Sequence, residues 1–389
     1  MNPVAGDPPL VAHLIYRLTR GGLENGLVNL INSMPAFRYR HAVVCITDYD
    51  DFRNEIRSRD VPVFALEKRS GHDPGYYRRL WRLLRELRPQ LIHTRTFAAL
   101  DSLWAALAAG VPARVHGEHG RDLDDWEREP RRRRAVRRLT DPIIDHYIAV
   151  SDDIASCLRR HLKVSQERIT RIYNGVDTRR FRPAESPARR AFPPGFQESD
   201  AVVIGTVGNL REVKNPEGLI RAFSLLCSSG GKGRERLRLV MIGEGPLRGA
   251  CARLVSESGL EGRAWLAGKR SDVPELLRGM DIFVLPSHTE GTSNAILEAM
   301  ATGLPVVAVN AGGNAELVRH GETGLLVPSS EPAALAAAMS RYVEDAGLRR
   351  RHGAAGRRRA ETFSLEKMAG AYAAVYDRVL AKRRRTAET

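Results

Sequence analysis

Glu290 and Glu298, with seven residues between them, are the residues of this chain best suited by type and spacing to do chemistry. The apolar run Ile282-Phe283-Val284-Leu285 precedes them and closes at Pro286; a second run, Val306-Val307-Ala308-Val309, follows Pro305. The stretch reads as strand, loop, helix, turn and strand. Thr292, Ser293 and Asn294 are N-cap types at the helix start. A helix N-terminus at the C-terminal end of a parallel strand offers N–H groups to an anion. One carboxylate at its mouth and one further along could grip a sugar and a ribose on either side of a diphosphate. Glu is common in helices, so the weight lies on the whole surrounding string.

Such a site needs cations. Arg211 and Lys214, in the loop after Val207, could hold a diphosphate by charge-assisted bonds, although their spacing alone also fits a solvated loop. Gly21-Gly22 follows the first apolar run and lets the backbone approach a ligand. It is not the GxGxxG pattern, which disfavours a dinucleotide cofactor. His116-Gly117-Glu118-His119 ends another first-half strand, and a histidine there is either structural or ligand-facing. Gly243-Glu244-Gly245-Pro246 and Gly268-Lys269-Arg270-Ser271-Asp272 each lead from a strand into a helix. Asp48-Tyr49-Asp50 and Asp122-Leu123-Asp124 have the DxD form of some metal sites, a pattern that arises often by chance. With Arg211, Lys214 and helix N-termini to neutralise a diphosphate, no essential metal is expected.

These loops must be carried by a repeated strand–helix plan. The first half has strand signals at residues 10–16, 41–46, 91–94, 113–116 and 143–150, with helices near 23–33 and 76–87. In the latter helix Leu80, Leu83, Leu84 and Leu87 recur at helical period. The second half has strands at 202–207, 237–242, 263–266, 282–285, 306–309 and 325–327. Alternating βαβ units argue for parallel sheets covered on both faces. The expected α/β architecture is two doubly wound, Rossmann-like domains with a cleft between them, and ligands beyond the carboxyl ends of the strands. The expected bounds are 1–180, 181–363 and a last helix, 364–389, that returns to the first domain.

The chain has 389 residues, enough for two ordinary domains. No apolar run approaches the roughly 18–20 residues that span a bilayer. Residues 1–9 lack a basic segment followed by an apolar one, so no signal peptide is expected. Cys45, Cys157, Cys227 and Cys251 form no CxxC pair and read as buried reduced thiols. Lys and Arg number 61 against 46 Asp and Glu, a net charge of +15. Arg131–Arg134, Arg357–Arg359 and Lys382–Arg385 hold much of the excess, and no aromatic residues interleave with them as a base-stacking surface requires. Nucleic acid is therefore disfavoured. An anionic membrane surface is the favoured partner of this charge, with a plain solvated surface close behind.

The Glu290–Glu298 string, with its Pro-Ser-x-x-Glu-Gly and Glu-Ala-Met-Ala-x-Gly-x-Pro-Val-Val surroundings, resembles the nucleotide-sugar site of retaining family 4 glycosyltransferases, which have the GT-B fold of two Rossmann-like domains. The resemblance covers essentially the whole chain. It implies Glu290, His119, Lys214 and Arg211 as catalytic residues. It implies Gly21, Gly22, Arg270, Gly291, Thr292, Ser293, Asn294 and Glu298 as donor-binding residues. The family pattern has Gly-Arg-Leu and then Lys; Lys214 matches, but Asn209 stands where the Arg is expected, so Arg211 would act from a shifted position. The first half, through residues 13–18, 21–32 and 116–122, resembles the sugar transferases associated with PEP-CTERM/exosortase exopolysaccharide clusters. That implies polysaccharide assembly at the cytoplasmic face of a bacterial inner membrane.

The implied reaction moves a hexosyl unit from a UDP- or GDP-sugar to a hydroxyl of a lipid-linked glycan, with retention at the anomeric carbon and no cofactor. Lys214, Arg211 and the amides of 291–293 would stabilise the leaving diphosphate. A nucleotide-sugar 2-epimerase, a nucleic-acid binder and a catalytically inert glycosyltransferase-like subunit are the rival readings.

Overall fold

Short apolar runs buried on both faces are the hallmark of parallel sheet, and here they build two such sheets. In a computed structural model that describes residues 7–119, 129–184, 189–231 and 233–388, the chain divides into two units. The first joins Met1–Gly175 to Leu365–Thr389, and the second is Val176–Ser364.

The first unit alternates β1 (Leu10–Ile15), α1 (Gly22–Ser33), β2 (Arg40–Cys45), β3 (Val63–Ala65), α2 (Pro74–Leu87), β4 (Leu91–Arg95), α3 (Leu103–Ala108), β5 (Ala113–Glu118), α4 (Arg131–Thr140), β6 (His146–Ala149), α5 (Asp152–Leu162) and β7 (Ile169–Arg171). Its seven strands lie in the order β3-β2-β1-β4-β5-β6-β7, all parallel. One face of the sheet packs on α2, α3 and α5 through Leu80, Leu84, Leu103 and Ile154. The other packs on the helix that ends the chain, through Tyr372, Ala373, Tyr376 and Val379.

The second unit runs β8 (Val202–Val207), α6 (Pro216–Ser228), β9 (Leu237–Ile242), α7 (Arg248–Glu257), β10 (Ala264–Gly268), α8 (Val273–Gly279), β11 (Ile282–Leu285), α9 (Asn294–Ala301), β12 (Val306–Val309), α10 (Asn314–Leu317), β13 (Gly324–Val327), α11 (Pro332–Glu344) and α12 (Ala346–Ala360). The parallel order is β10-β9-β8-β11-β12-β13. The chain then re-enters the first unit as α13 (Leu365–Glu388).

Both sheets reverse direction of winding once, between β1 and β4 and between β8 and β11. Such switch points open a crevice at the carboxyl ends of the strands. The elements differ from the sequence expectations in three places. The strand expected over 143–150 begins only at His146, because Asp141-Pro142-Ile143 forms a 3₁₀ turn. The strand at 113–116 continues to Glu118, so His116 lies within it. The edge strands β3 and β7, of three residues each, carry too short a run for a period to show.

Candidate active site

At the second switch point the loops after β8 and β11 are sewn together by main-chain and amide bonds. His288 N donates to Val213 O at 2.9 Å. Asn215, in the left-handed region at φ 49°, caps α6 through Gly218 N. Its Nδ2 donates to Pro286 O at 3.3 Å and to Ser330 O at 3.1 Å. Gly243 closes the neighbouring loop at φ +142°; a Cβ there would lie 1.9 Å from Gly208 O, so only glycine fits. This framework brings Lys214 and Glu290 together across 76 residues of sequence. Lys214 Nζ donates to Glu290 Oε1 at 2.5 Å, with the carboxylate buried and the ammonium partly open to solvent.

The helix α9 starts directly beyond. Ser293 is its N-cap, with Oγ accepting from Ile296 N at 3.4 Å. Gly291 and Thr292 form the turn before it, and Asn294 is its first residue. The positive end of the helix dipole therefore sits beside the Lys214 ammonium, an anion-attracting arrangement. Glu298 follows one turn later. Burial pushes its carboxyl up to about 7, against a small opposing effect of Arg180. Ser287 Oγ and Thr289 Oγ1, flanking His288, are buried with no partner. Sequence reading assigned neither hydroxyl a role; their place in a strand-end loop beside Glu290 was the available signal.

Arg211 precedes Lys214 by one 3₁₀ turn, is exposed, and has no side-chain partner among the described residues. It does not touch the Lys214–Glu290 pair. Arg270 is held by Asp272 in a two-pronged bond of 2.8 and 2.6 Å and lies 5.7 Å from the centre of the Trp265 ring. Its guanidinium is thus already engaged.

In the first unit, Gly21 is the N-cap of α1, in extended backbone, and Gly22 is the first helical residue. The Glu24 carboxylate folds back on Gly21, where a Cβ would meet its Oε2 at 2.3 Å. Burial raises the Glu24 carboxyl. His119 follows β5 directly. Burial, reinforced by Arg95, lowers its imidazole to about 3, so it is neutral at physiological pH, and its Nε2 is buried without a partner. Beneath it lies an ion cluster: Arg137 bonds both Glu118 and Glu129, the latter at 3.1 Å, and all three are buried. Burial alone would raise Glu118, but Arg137 and His116 outweigh it and hold the carboxyl near 2.

Of the two DxD patterns, Asp48 is bound by Arg17, and Asp50 caps a 3₁₀ turn through Phe52 N at 2.8 Å. Both carboxylates serve structure. Asp122 and Asp124 lie outside the described residues, as do Gly120 and Arg121.

Comparison with known proteins gives this arrangement its class. The sequence model described as "Glycosyl transferases group 1" matches residues 201–345, and that described as "Glycosyltransferase Family 4" matches residues 20–180. The chain is a GT-B glycosyltransferase. It is 29% identical over 337 residues to a D-inositol 3-phosphate glycosyltransferase of Streptomyces scabiei, covering 82% of this chain and 72% of that one. It is 27% identical over 350 residues to UDP-Gal:alpha-D-GlcNAc-diphosphoundecaprenol alpha-1,3-galactosyltransferase of Escherichia coli, covering 86% and 88%. Among solved structures, HepE of Anabaena in complex with UDP superposes with a TM-score of 0.79 at 22% identity, over 94% of this glycosyltransferase and 99% of HepE. Sucrose-phosphate synthase of Thermosynechococcus elongatus gives 0.81 at 22% identity, over 96% and 100%. At that identity the superpositions establish the fold. They agree with the two parallel sheets and their two switch points.

Proposed function

We propose that this glycosyltransferase moves a hexosyl unit from a UDP- or GDP-sugar to a hydroxyl of a lipid-linked glycan, with retention of anomeric configuration, in exopolysaccharide assembly. The observation that carries the donor reading is the Lys214–Glu290 pair at the switch point, abutting the N-terminus of α9. Before donor binds, Glu290 holds Lys214 in place. A diphosphate arriving at the helix N-terminus would share the ammonium, and Glu290 would turn to the sugar hydroxyls. Charge builds on the leaving diphosphate as the glycosidic bond breaks, and fixed cations and amides stabilise that charge more than they stabilise the intact donor. Arg211, free and exposed, has the reach to join them. Neutral His119 would serve the sugar as a hydrogen-bonding group rather than as a charge. With this cation set, the diphosphate needs no divalent metal.

The lipid-linked acceptor is supported by the Escherichia coli relative, a galactosyltransferase named for its alpha-D-GlcNAc-diphosphoundecaprenol acceptor. The test is transfer of labelled hexose into a bacterial lipid extract, with the new linkage read by proton coupling at the anomeric carbon. An α-linked product from an α-linked donor supports the proposal. An inverted product, or an epimerised free nucleotide sugar, would overturn it.

Glu298, assigned to the ribose, gives a pH prediction. A carboxylate accepting ribose hydroxyls binds best ionised, so nucleotide binding lowers its raised pKa and releases a proton. Nucleoside diphosphate affinity is therefore expected to rise through about pH 7. The rise beyond the nucleotide's own phosphate titration should vanish in Glu298→Gln, which calorimetry in buffers of differing ionisation heat would register.

Localisation at an anionic membrane is part of the same proposal. Among the described residues no helix is long and apolar enough to cross a membrane. Trp81 and Trp104 are 39% and 46% exposed and line one shallow groove between α2 and α3 with Tyr77 and Ala108. Leu107 and Leu139 are exposed on α3 and α4. Arg78, Arg82, Arg85, Arg131, Arg132 and Arg138 stand exposed on α2 and α4. Indole rings with arginines suit the interfacial zone of an anionic bilayer. Trp81→Ala with Trp104→Ala is expected to cut sedimentation with phosphatidylglycerol vesicles about tenfold or more, with neutral vesicles bound weakly by both proteins.

A further inference from the structure

Thr96, the first residue beyond β4, holds a backbone conformation that suits glycine. Its φ is 61° and its ψ 167°. That region is all but closed to a residue with a Cβ, and least open to a β-branched one. The surroundings pin it there. Thr96 N donates to Gly117 O on β5 at 2.9 Å, and Thr96 O accepts from Ala99 N at 3.2 Å. Phe97, next in the chain, has the guanidiniums of Arg133 and Arg137 over its ring, each 5.0 Å from the centre. Threonine caps a helical turn well in extended backbone, but here its hydroxyl makes no cap to the turn at 97–99. A glycine would take the same φ and ψ without strain. The threonine side chain therefore costs free energy at this position and does nothing for the turn. Strain of this kind gathers at ligand-binding positions.

The place of the residue suggests the ligand. β1 and β4 flank the switch point of the first unit. The register pairs Leu14 with Thr94. Continued by two residues, it sets Tyr16 level with Thr96, each the first residue beyond its strand, on the two lips of that crevice. Tyr16 is 54% exposed. Its backbone is fixed by Thr47, whose N and Oγ1 both donate to Tyr16 O at 3.0 Å. Thr96 is half-buried. Neighbouring strands lie about 4.8 Å apart, so one pyranose ring can reach both lips. Such a ring presents hydroxyls at its edge and C–H groups on its face. A threonine hydroxyl suits the first, and a phenol ring suits the second. Neither side chain is charged, which fits a neutral sugar.

We propose that Thr96 and Tyr16 form a sugar subsite of the first unit. The Thr96 hydroxyl bonds a hydroxyl of the sugar that the acceptor presents, and the Tyr16 ring covers the face of that sugar. The acceptor assignment rests on the transferase reading; sugar binding at this crevice does not.

Thr96→Gly is the decisive variant, because it relieves the strain and removes the hydroxyl at once. It is expected to melt no lower than the wild type. It is nevertheless expected to lose about tenfold to a hundredfold in kcat/KM for a bacterial lipid extract, with nucleoside diphosphate affinity unchanged. Thr96→Ser keeps the hydroxyl and is expected to retain most of the transfer. Tyr16→Ala is expected to raise KM for the extract about tenfold with little change in kcat. Full transfer by Thr96→Gly would overturn the proposal, as would an equal loss in Thr96→Ser or a Thr96→Gly protein that melts well below the wild type. A second arm needs no turnover. The full chain with methyl-labelled threonine is titrated with the methyl α-glycosides of glucose, galactose and mannose. At least one is expected to move the Thr96 methyl signal along a saturating curve, in the wild type and in Lys214→Ala but not in Tyr16→Ala. A Thr96 signal static to all three at tens of millimolar would overturn the subsite. If the wild type binds no nucleoside diphosphate and transfers nothing while that signal still moves, the transferase reading fails and the sugar subsite stands.

Discussion

Lys214→Ala is expected to lower kcat on the order of 10²- to 10³-fold while leaving the fold intact. The ammonium sits where the loops after β8 and β11 meet, and its bond to Glu290 is local to that crevice. Removing it takes away charge that acts chiefly as the diphosphate departs, so KM should change less than kcat. Glu290, 8% exposed, would lose its cationic partner, and a modest fall in thermal stability is expected alongside. Initial rates across donor concentrations check this. Unchanged kcat in a folded Lys214→Ala protein would remove Lys214 from the mechanism.

Arg137→Met is expected to destabilise the first unit by about 3–5 kcal/mol, since it strands Glu118 and Glu129 as buried carboxylates. The sign with pH follows from Glu118. Its carboxyl is depressed to about 2, so its stabilising contribution is present above the ordinary carboxylate range and is lost as pH falls through about 2. In Arg137→Met nothing but His116 opposes burial, and the carboxyl rises. The variant should then regain part of its deficit on mild acidification, where Glu118 protonates and the wild type does not change. Denaturant unfolding at neutral and mildly acidic pH measures both effects. A loss below about 1 kcal/mol would mean the cluster is not held by Arg137. Because Glu118 ends β5 and His119 follows it, the same variant should also lower transfer.

Much of this was legible in the sequence because parallel-sheet enzymes carry their sites on loops after apolar runs. The run at 282–285 and the N-cap residues 292–294 located both carboxylates and the start of α9. What could not be read was partnership. Arg270 looked available for a ligand, yet Asp272, two residues on, holds its guanidinium. Lys214 matched the family pattern and Arg211 did so only from a shifted position, but only the fold gives Lys214 its bond to Glu290. Arg95 drew no notice, since one basic residue after Leu91-Ile92-His93-Thr94 reads as the end of a strand. Its bond to the Tyr376 hydroxyl forms only because α13 returns to this sheet from the far end of the sequence. Contacts that depend on the crossing of the chain between its two units leave no local pattern.

The most direct test of the central claim is calorimetric titration of UDP and GDP into the wild type, Glu298→Ala and Lys214→Ala. The account predicts that one of the two nucleotides binds the wild type at micromolar to millimolar concentration, and that both substitutions weaken it by about tenfold or more. Binding that survives both substitutions, or no binding of either nucleotide at millimolar concentration, would contradict the assignment of the donor site to the loops of β8 and β11 and the start of α9.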